Sequence, residues 1–350
     1  MQVPYKTFAK NAFWKTGVAA FNPLDISHLW QPKFKIIKED YVSTFGSCFA
    51  QHISKALQKN NFSWFNGEIG IRTDNVEFLR TYNYGVFSAR TGNIYTSIQL
   101  KQWLCWAFKL EDMPEEVWEK KGRFYDPFRP TIEPNGFASE KELFESREVT
   151  LLALRNCVKR SKVFIFTLGL TEAWKNKKHG YEYASCPGVS AGEFDSEKHQ
   201  FINYSFEEVY KSLLSAFDII RKKNNEIKFI LTVSPVPLAA TASGQHVLIA
   251  NNHSKSLLRA VAGQVYINHD DVDYFPSYEI VTTPTYRGMF YGPDGRAIVQ
   301  AGVEFIMQQF ISSINAGDNR SHDVIVTNNH VINDAEQVKC EEELLESFQR

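Results

Sequence analysis

The sequence is poor in the features that mark secreted, metal-binding or membrane-spanning proteins. Its five cysteines are widely spaced and form no Cys-x-x-Cys pair, which argues against a disulfide framework and against a thiolate zinc site. No stretch approaches the roughly 20 apolar residues that a spanning helix needs, and the N-terminus lacks the apolar core of a signal peptide. We therefore expect a cytoplasmic protein without a membrane span.

An excess of charge of either sign is also missing. The 39 Lys and Arg residues are balanced by 40 Asp and Glu, for a formal net charge of -1, so no overall charge attracts the chain to nucleic acid. His-Glu-x-x-His motifs, glycine-rich phosphate loops and His/Cys clusters at ligand spacing are absent as well. The sequence predicts no metal, no resident cofactor and no nucleic-acid partner, and it leaves a small molecule or a glycan as the expected substrate. It does not specify an oligomeric state.

What the sequence does contain is a repeated alternation of strand and helix patterns. Tyr41-Val-Ser-Thr-Phe is typical of a strand, and the apolar residues at 50, 53, 56 and 57 lie on one face of a following helix. The alternation returns with helices at about 139–159, 205–224, 253–267 and 298–314, and with strands at 163–169, 228–235 and 272–280. Segments of this length predict an α/β fold whose parallel sheet is covered on both faces.

The other segments are arranged around this alternation. Residues 1–40, irregular and rich in aromatics and proline, are expected to form an arm packed on a catalytic domain of residues 41–314. An insertion at about 67–138, with a Trp-rich helix near 99–108, is expected at the rim of the site. Residues 315–350 are expected to form a polar C-terminal tail.

Polar residues follow the predicted strands, at the edge of the sheet where open α/β proteins bind their ligands. Ser47 stands between a glycine and a helix start, where free helix N–H groups would stabilise an oxyanion. This setting is typical of a nucleophile, although a serine there also commonly caps the helix. Cys48 is a rival nucleophile beside it, or a small buried packing residue.

The segment Phe45-Gly-Ser-Cys-Phe-Ala50 resembles the signature of the GSCFA-domain family, relatives of the SGNH (GDSL-like) hydrolases. Other blocks similar to the family follow in order over roughly residues 10–312: Tyr84-Gly-Val-Phe-Ser, Thr167-Leu-Gly-Leu-Thr-Glu-Ala-Trp174, Leu231-Thr-Val-Ser-Pro-Val-Pro237, Ser254-Lys-Ser and Tyr274-Phe-Pro-Ser-Tyr-Glu-Ile280. The resemblance implies a three-layer α/β/α sandwich with a central, mostly parallel sheet. It also implies that Ser47 corresponds to the serine nucleophile.

The resemblance implies roles for further residues, with two departures. Gly85 is similar to the glycine whose N–H lines the oxyanion hole, and Thr171 stands where an asparagine normally donates to the oxyanion. A hydroxyl offers one donor and is a weaker substitute for an amide. The Asp-x-x-His motif of SGNH hydrolases corresponds to Asp294-Gly-Arg-Ala297, with alanine in the histidine's place. Either another side chain accepts the serine proton, or the site is not that of a hydrolase.

Two histidines are candidates for the missing proton acceptor. His246 follows the long polar loop after the third strand, at the edge of the sheet expected to hold Ser47, and is the predicted base. The alternative is that His246 is a loop residue hydrogen-bonded to backbone and water. His199, in the segment after the second strand, is the second candidate.

Two carboxylates stand at strand ends in the same pattern. Glu172 and Glu279 are suited to orient an imidazole or to accept a hydrogen bond from a substrate hydroxyl. Either could instead form a salt bridge with Arg287 or Arg296.

Together these features predict a serine-dependent acyl-transfer enzyme, either an esterase or an O-acetyltransferase acting on a glycan or a small acylated substrate. Only a transferase would require an acyl donor such as acetyl-CoA. One alternative is a non-catalytic carbohydrate-binding protein on the same scaffold. Another is an interaction subunit that docks through the aromatic insertion.

Overall fold

The computed structural model describes residues 3–71, 73–315, 338 and 340–348. Its strands are β1 (Val42–Gly46), β2 (Trp118–Lys120), β3 (Arg123–Tyr125), β4 (Val163–Leu168), β5 (Glu172–Asn176), β6 (Glu182–Tyr183), β7 (His199–Asn203), β8 (Lys228–Val233) and β9 (Val272–Tyr274). Its α-helices are α1 (Ala50–Lys59), α2 (Val76–Thr81), α3 (Ser97–Ala107), α4 (Glu140–Arg160), α5 (Phe206–Lys223), α6 (Val247–Asn268), α7 (Ser277–Thr282) and α8 (Gln300–Asn315). Short turns of other helix types lie at Pro4–Thr7, Lys10–Ala12, Lys15–Ala19, Pro23–Asp25, Pro284–Tyr286 and Glu341–Phe348.

A four-stranded parallel sheet in the order β1-β4-β8-β9 forms the centre of the fold. Alternate residues of its strands enter two separate apolar cores, as the period of two in a strand requires. Phe164 packs on one face, in the core that also contains residues of α3 to α6, and Ile165 packs on the other face with residues of α1, α7 and α8. The predicted three-layer α/β/α arrangement is confirmed.

Two predicted element boundaries are wrong. The strand expected at 272–280 ends at Tyr274, and Ser277–Thr282 is a helix. Pro276 lacks the N–H that a strand ladder needs. Its carbonyl accepts from the N–H of Ile280 at 3.1 Å, and this hydrogen bond closes the first helical turn. The helix expected from about 253 begins at Val247.

Two smaller sheets stand beside the central one. β2 and β3 form an antiparallel hairpin, and β5 pairs with both β6 and β7 in an antiparallel sheet of three strands. Since β5 starts four residues after β4 ends, the three-stranded sheet leaves the central sheet at its carboxyl edge. It therefore forms a wall beside the position where the site is expected.

The segments at the two ends of the chain also contact the central domain. Trp30 stacks on Phe310, with ring centroids 5.4 Å apart, and its indole N–H donates to Asp273 at 3.2 Å. Most of the predicted C-terminal tail, residues 316–337, lies outside the described residues. No helix in the described part of the chain has both the length and the apolarity needed to cross a bilayer.

Candidate active site

Ser47 lies on a tight elbow between β1 and α1. Gly46, just before it, has φ +129°, and a Cβ at Gly46 would stand 2.6 Å from the Thr167 nitrogen and overlap the Thr167 carbonyl. The N–H of Ser47 donates to that carbonyl at 3.0 Å, and the carbonyl of Ser47 accepts from the N–H of Ala50 at 2.9 Å. The elbow therefore depends on a glycine at position 46.

The Ser47 hydroxyl is buried and unpaired. The residue is 2 % exposed, and its Oγ has no hydrogen-bond partner among the described residues. The alternative that Ser47 caps α1 does not match the structure, because Phe49 is at the cap position and no side chain bonds to the helix start. A buried hydroxyl without a partner is costly to stability, which points to a functional role.

Gly169, in the loop after β4, packs directly on Ser47. Its N–H donates to the Tyr95 carbonyl at 3.0 Å, and a Cβ at Gly169 would lie 3.1 Å from the Cβ of Ser47. The Gly169 carbonyl accepts from Nζ of Lys255 on α6 at 2.8 Å. Gly169 thus contacts both Ser47 and the buried Lys255.

Thr171 lies two residues further along this loop, and both of its donors are engaged. Its N–H donates to the Ser254 hydroxyl at 3.1 Å, and its hydroxyl donates to Oδ1 of Asn203 at 2.7 Å. To donate to an oxyanion, the hydroxyl would have to leave Asn203. The role of Thr171 in the oxyanion hole therefore stays a prediction.

Gly85 lies in an exposed turn after α2. Its φ is +71°, and no atom of Ser47 or of another residue beyond its two chain neighbours lies within 4 Å of the position that a Cβ would occupy there. The structure does not show these two residues in contact, and the predicted oxyanion role of Gly85 also stays untested.

The predicted histidine base is engaged elsewhere. His246 is exposed at the N-cap of α6, and its Nδ1 accepts from the N–H of Leu248 at 3.2 Å. Lys255 stands nine residues further along the same helix, about 13 Å away along the axis. His199, the second candidate, accepts at Nδ1 from the N–H of Asp195 at 2.9 Å, and burial lowers its pKa. No contact of either imidazole with Ser47 is found in the described residues.

The two predicted carboxylates have different partners. Glu172 accepts from the Thr241 hydroxyl at 2.7 Å, and burial raises its pKa. Glu279 forms an ion pair with Arg259 and accepts from the Tyr274 hydroxyl at 2.8 Å. A salt bridge with Arg287 or Arg296 was the alternative role expected for Glu279. The structure shows a salt bridge, but its partner is Arg259.

A short C-terminal segment, Cys340–Phe348, lies against the same elbow. Its first residue, Cys340, hydrogen-bonds to Cys48 and stands 3.7 Å from the Tyr95 hydroxyl. This bond and burial, in that order, hold the pKa of Cys48 well above its usual value. The sequence does not predict this contact, because 292 positions separate the two cysteines and no spacing pattern relates them.

Two carboxylates of the C-terminal segment are held at the site. Glu341 accepts from the hydroxyls of Tyr95 and Thr131, each at 2.9 Å, and from the side-chain amide of Asn93. Glu342 lies 3.7 Å from the guanidinium of Arg296, and burial raises its pKa.

A mostly apolar cavity of about 530 Å³ opens beside these residues. Its lining includes Tyr95, Leu170, Glu172, Trp174, Leu345 and Phe348. A second cavity of about 650 Å³ lies against α3 and residues 111–116, and its lining includes none of the residues that contact Ser47. Within the described ranges, no group of three or more His, Cys, Asp or Glu side chains could hold a metal ion.

Comparison with known proteins gives one family match. A family model described as the GSCFA family matches residues 41–310. The chain is similar to a presumed acylhydrolase from Bacteroides fragilis NCTC 9343, at 13% identity and TM-score 0.29, over 51% of this chain and 69% of that one. It is also similar to an acetyl esterase mutant solved with an acetate ion, at 14% identity and TM-score 0.24, over 47% of this chain and 66% of that one. A search of curated proteins finds no match.

Proposed function

The chain belongs to the GSCFA family, and we propose that it is a serine-dependent acyl-transfer enzyme with Ser47 as nucleophile. The observation that carries the proposal is the buried, unpaired Ser47 hydroxyl on a strand-to-helix elbow. A hydroxyl that bonds to no protein group in the described structure has no hydrogen bond to give up when it reacts with a substrate.

The reaction begins with attack of Ser47 Oγ on an ester carbonyl carbon, while the hydroxyl proton passes to a basic side chain. The C–O bond of the ester then breaks, and the leaving alkoxide takes that proton. An acceptor hydroxyl attacks the acyl-enzyme in the second half and returns Ser47 to its starting state. If the acceptor is water, the enzyme is an esterase. If the acceptor is a sugar hydroxyl, the enzyme is an O-acetyltransferase, and with a thioester donor such as acetyl-CoA the bond broken in the first half is C–S and the leaving thiolate takes the proton.

The N–H groups that would stabilise the oxyanion are those at the start of α1. The Ser47 N–H is engaged with Thr167, whereas the N–H groups of Cys48 and Phe49 have no acceptor among the described residues. They precede the helix, where unpaired N–H groups and the helix dipole favour negative charge.

We propose a small acyl group, such as acetyl, carried by a glycan or another small molecule. The cavity beside the site combines an aromatic wall at Trp174 with carboxylates such as Glu172. Aromatic rings stack on sugar faces and carboxylates accept from sugar hydroxyls, so this lining supports a carbohydrate ligand.

Hydrolysis of p-nitrophenyl acetate tests the proposal. We expect Ser47→Ala to abolish turnover and Cys48→Ala to retain it. Circular dichroism spectra establish that both variants are folded. Loss of turnover in Cys48→Ala alone would assign the nucleophile to the thiol. Equal rates for Ser47→Ala and the wild type would contradict enzymatic function at this site, and would favour the carbohydrate-binding alternative that the alanine at position 297 raises.

A further inference from the structure

We infer that Lys255 is the proton acceptor for Ser47, an inference that rests on the proposed function. Both side chains contact Gly169: Nζ of Lys255 donates to its carbonyl at 2.8 Å, and the Cβ of Ser47 packs against its Cα side. The neighbouring Ser254 accepts from the Thr171 N–H, so two consecutive residues of α6 are bonded to the loop beside Ser47. No other lysine of the described chain is among the fully buried side chains.

The surroundings of Lys255 favour a neutral amine. The residue is 1 % exposed, and burial lowers its pKa to about 8. The charged and titratable groups that face it are Glu342 and Cys340 from the C-terminal segment, Cys48 from the elbow, and Arg296. Glu342, Cys48 and Cys340 favour the charged form, and Arg296 disfavours it, but burial outweighs them.

A neutral Lys255 can anchor itself and accept a proton at the same time. One of its two N–H groups remains on the Gly169 carbonyl, and the nitrogen lone pair is left for the proton of Ser47. Rotation about the Cα–Cβ bond of Ser47 directs its hydroxyl to different sides of the elbow, and no existing hydrogen bond has to break. The ammonium then gives the proton to the leaving alkoxide. In the second half the amine accepts a proton from the incoming hydroxyl and passes it to Ser47 Oγ as the acyl-enzyme bond breaks.

The pH profile of the wild-type enzyme is the first test, because it needs no variant to fold. With Lys255 as base, kcat/KM rises with pH and has its midpoint near 8, where the amine loses its proton. A midpoint near 6.5, the usual pKa of histidine, would overturn the inference.

Variants provide the second test. Lys255→Met keeps the length and apolar stem of the side chain but removes the base, and we expect kcat/KM to fall roughly 10²–10⁴-fold. Ser256→Ala, at an exposed position on the same helix, is the matched control and should retain the wild-type value within about twofold. Circular dichroism and thermal unfolding establish that the Lys255→Met variant is folded.

The outcomes separate this inference from the proposed function. If Ser47→Ala keeps full activity, the proposed function fails and the inference fails with it. If Ser47→Ala is inactive while a folded Lys255→Met is as active as wild type, only the assignment of Lys255 is overturned. If His246→Ala is the inactive variant, the base is the histidine predicted from the sequence.

A second, independent observation concerns the C-terminal segment: the geometry points to Cys340–Phe348 as a plug over Ser47. An ester carbonyl must come within about 3 Å of Ser47 Oγ to react, yet Ser47 is 2 % exposed. Cys340 contacts Cys48 beside it, and Leu345 and Phe348 line the adjacent cavity. On this inference, the segment has to move before a substrate reaches the serine from the cavity.

The rate at which a fluorophosphonate probe labels Ser47 tests the plug in the full-length chain. Glu341→Ala removes the three hydrogen bonds from Asn93, Tyr95 and Thr131. Since hydrogen bonds to a charged group are among the stronger ones, we expect labelling to accelerate at least about tenfold. Ser347→Ala, exposed on the same segment, is the matched control and should label at the wild-type rate.

Two results would overturn the plug. One is an unchanged or slower labelling rate in a folded Glu341→Ala variant. The other is equal acceleration in Ser347→Ala, which would show a general loosening of the segment. Absence of labelling in the wild type and in both variants would count against Ser47 as nucleophile, and so against the proposed function rather than against the plug alone.

Discussion

Gly46 lies opposite Thr167 in the pairing of β1 with β4, and its Cα is so close to the Thr167 backbone that no side chain fits between them. This contact turns the chain at the end of β1 and places Ser47 above the carboxyl ends of the strands. The geometry of the site therefore depends on Gly46, a residue that has no side chain.

We expect Gly46→Ala to destabilise the fold by more than about 3 kcal/mol, because the new Cβ overlaps backbone and the φ of +129° is unfavourable for alanine. Gly85→Ala is the matched control: its φ is also positive, at +71°, but the space around it is open. It should cost about 1–2 kcal/mol. Urea unfolding followed by fluorescence measures both, and equal losses would show that the contact with Thr167 is unimportant.

The buried carboxyl group of Glu182 should give the stability of the fold an unusual dependence on pH. Burial raises its pKa to about 7, although the hydroxyl of Thr96 donates to it at 2.6 Å. A raised carboxyl pKa means that the folded state favours the protonated form. Its contribution to stability is present below about pH 4.5 and is lost as the pH rises through 7.

Glu182→Gln should therefore be more stable than the wild type at pH 8, by up to about 3 kcal/mol, and similar to it at pH 4.5. Unfolding free energies in urea at the two pH values measure this. A constant difference between the two proteins at both pH values would contradict the assignment.

Asp126 is a buried carboxylate that two arginines hold in place. It accepts from Nε of Arg129 at 2.8 Å and from Nε of Arg147 at 2.9 Å. Burial acts to raise its pKa, but the two guanidinium groups outweigh burial and lower it. Asp126→Asn leaves both cations without their counter-charge, and we expect a loss of about 3–5 kcal/mol.

The exposed pair of Glu207 and Lys211 provides the comparison for Asp126. Its atoms are 3.1 Å apart, but both side chains are about three-quarters exposed. Glu207→Gln should leave the melting temperature unchanged, because water screens such pairs. If both variants melted at the wild-type temperature, the buried network would not stabilise the fold.

The thiols should differ in reactivity. The hydrogen bond with Cys48 lowers the pKa of Cys340, whereas burial raises the pKa of Cys157 to about 12. Iodoacetamide reacts with the thiolate, so alkylation at pH 7.5 should modify Cys340 well before Cys48 or Cys157. Peptide mass spectrometry over time measures the order. Earlier modification of Cys48 would show that the segment does not cover the elbow.

Much of the fold follows from local patterns in the sequence. The runs around Val42, Val163 and Lys228 predict buried strands, and the structure has them within two residues of the expected bounds. The strand expected through Ile280 is wrong, because apolar residues continue past Pro276 in a pattern that suits both a strand and a short helix. For short apolar runs, periodicity alone does not separate these two structures.

The parallel α/β fold and the elbow that presents Ser47 follow from strand periodicity, a glycine and a helix start, which are all local features of the chain. The basic and acidic groups near that serine follow instead from the packing of distant elements. Lys255 bonds to Gly169 beside Ser47, and Cys340 lies beside Cys48, although both come from segments at least 200 positions away in the chain. No spacing rule relates residues that only the packing of separate elements brings together.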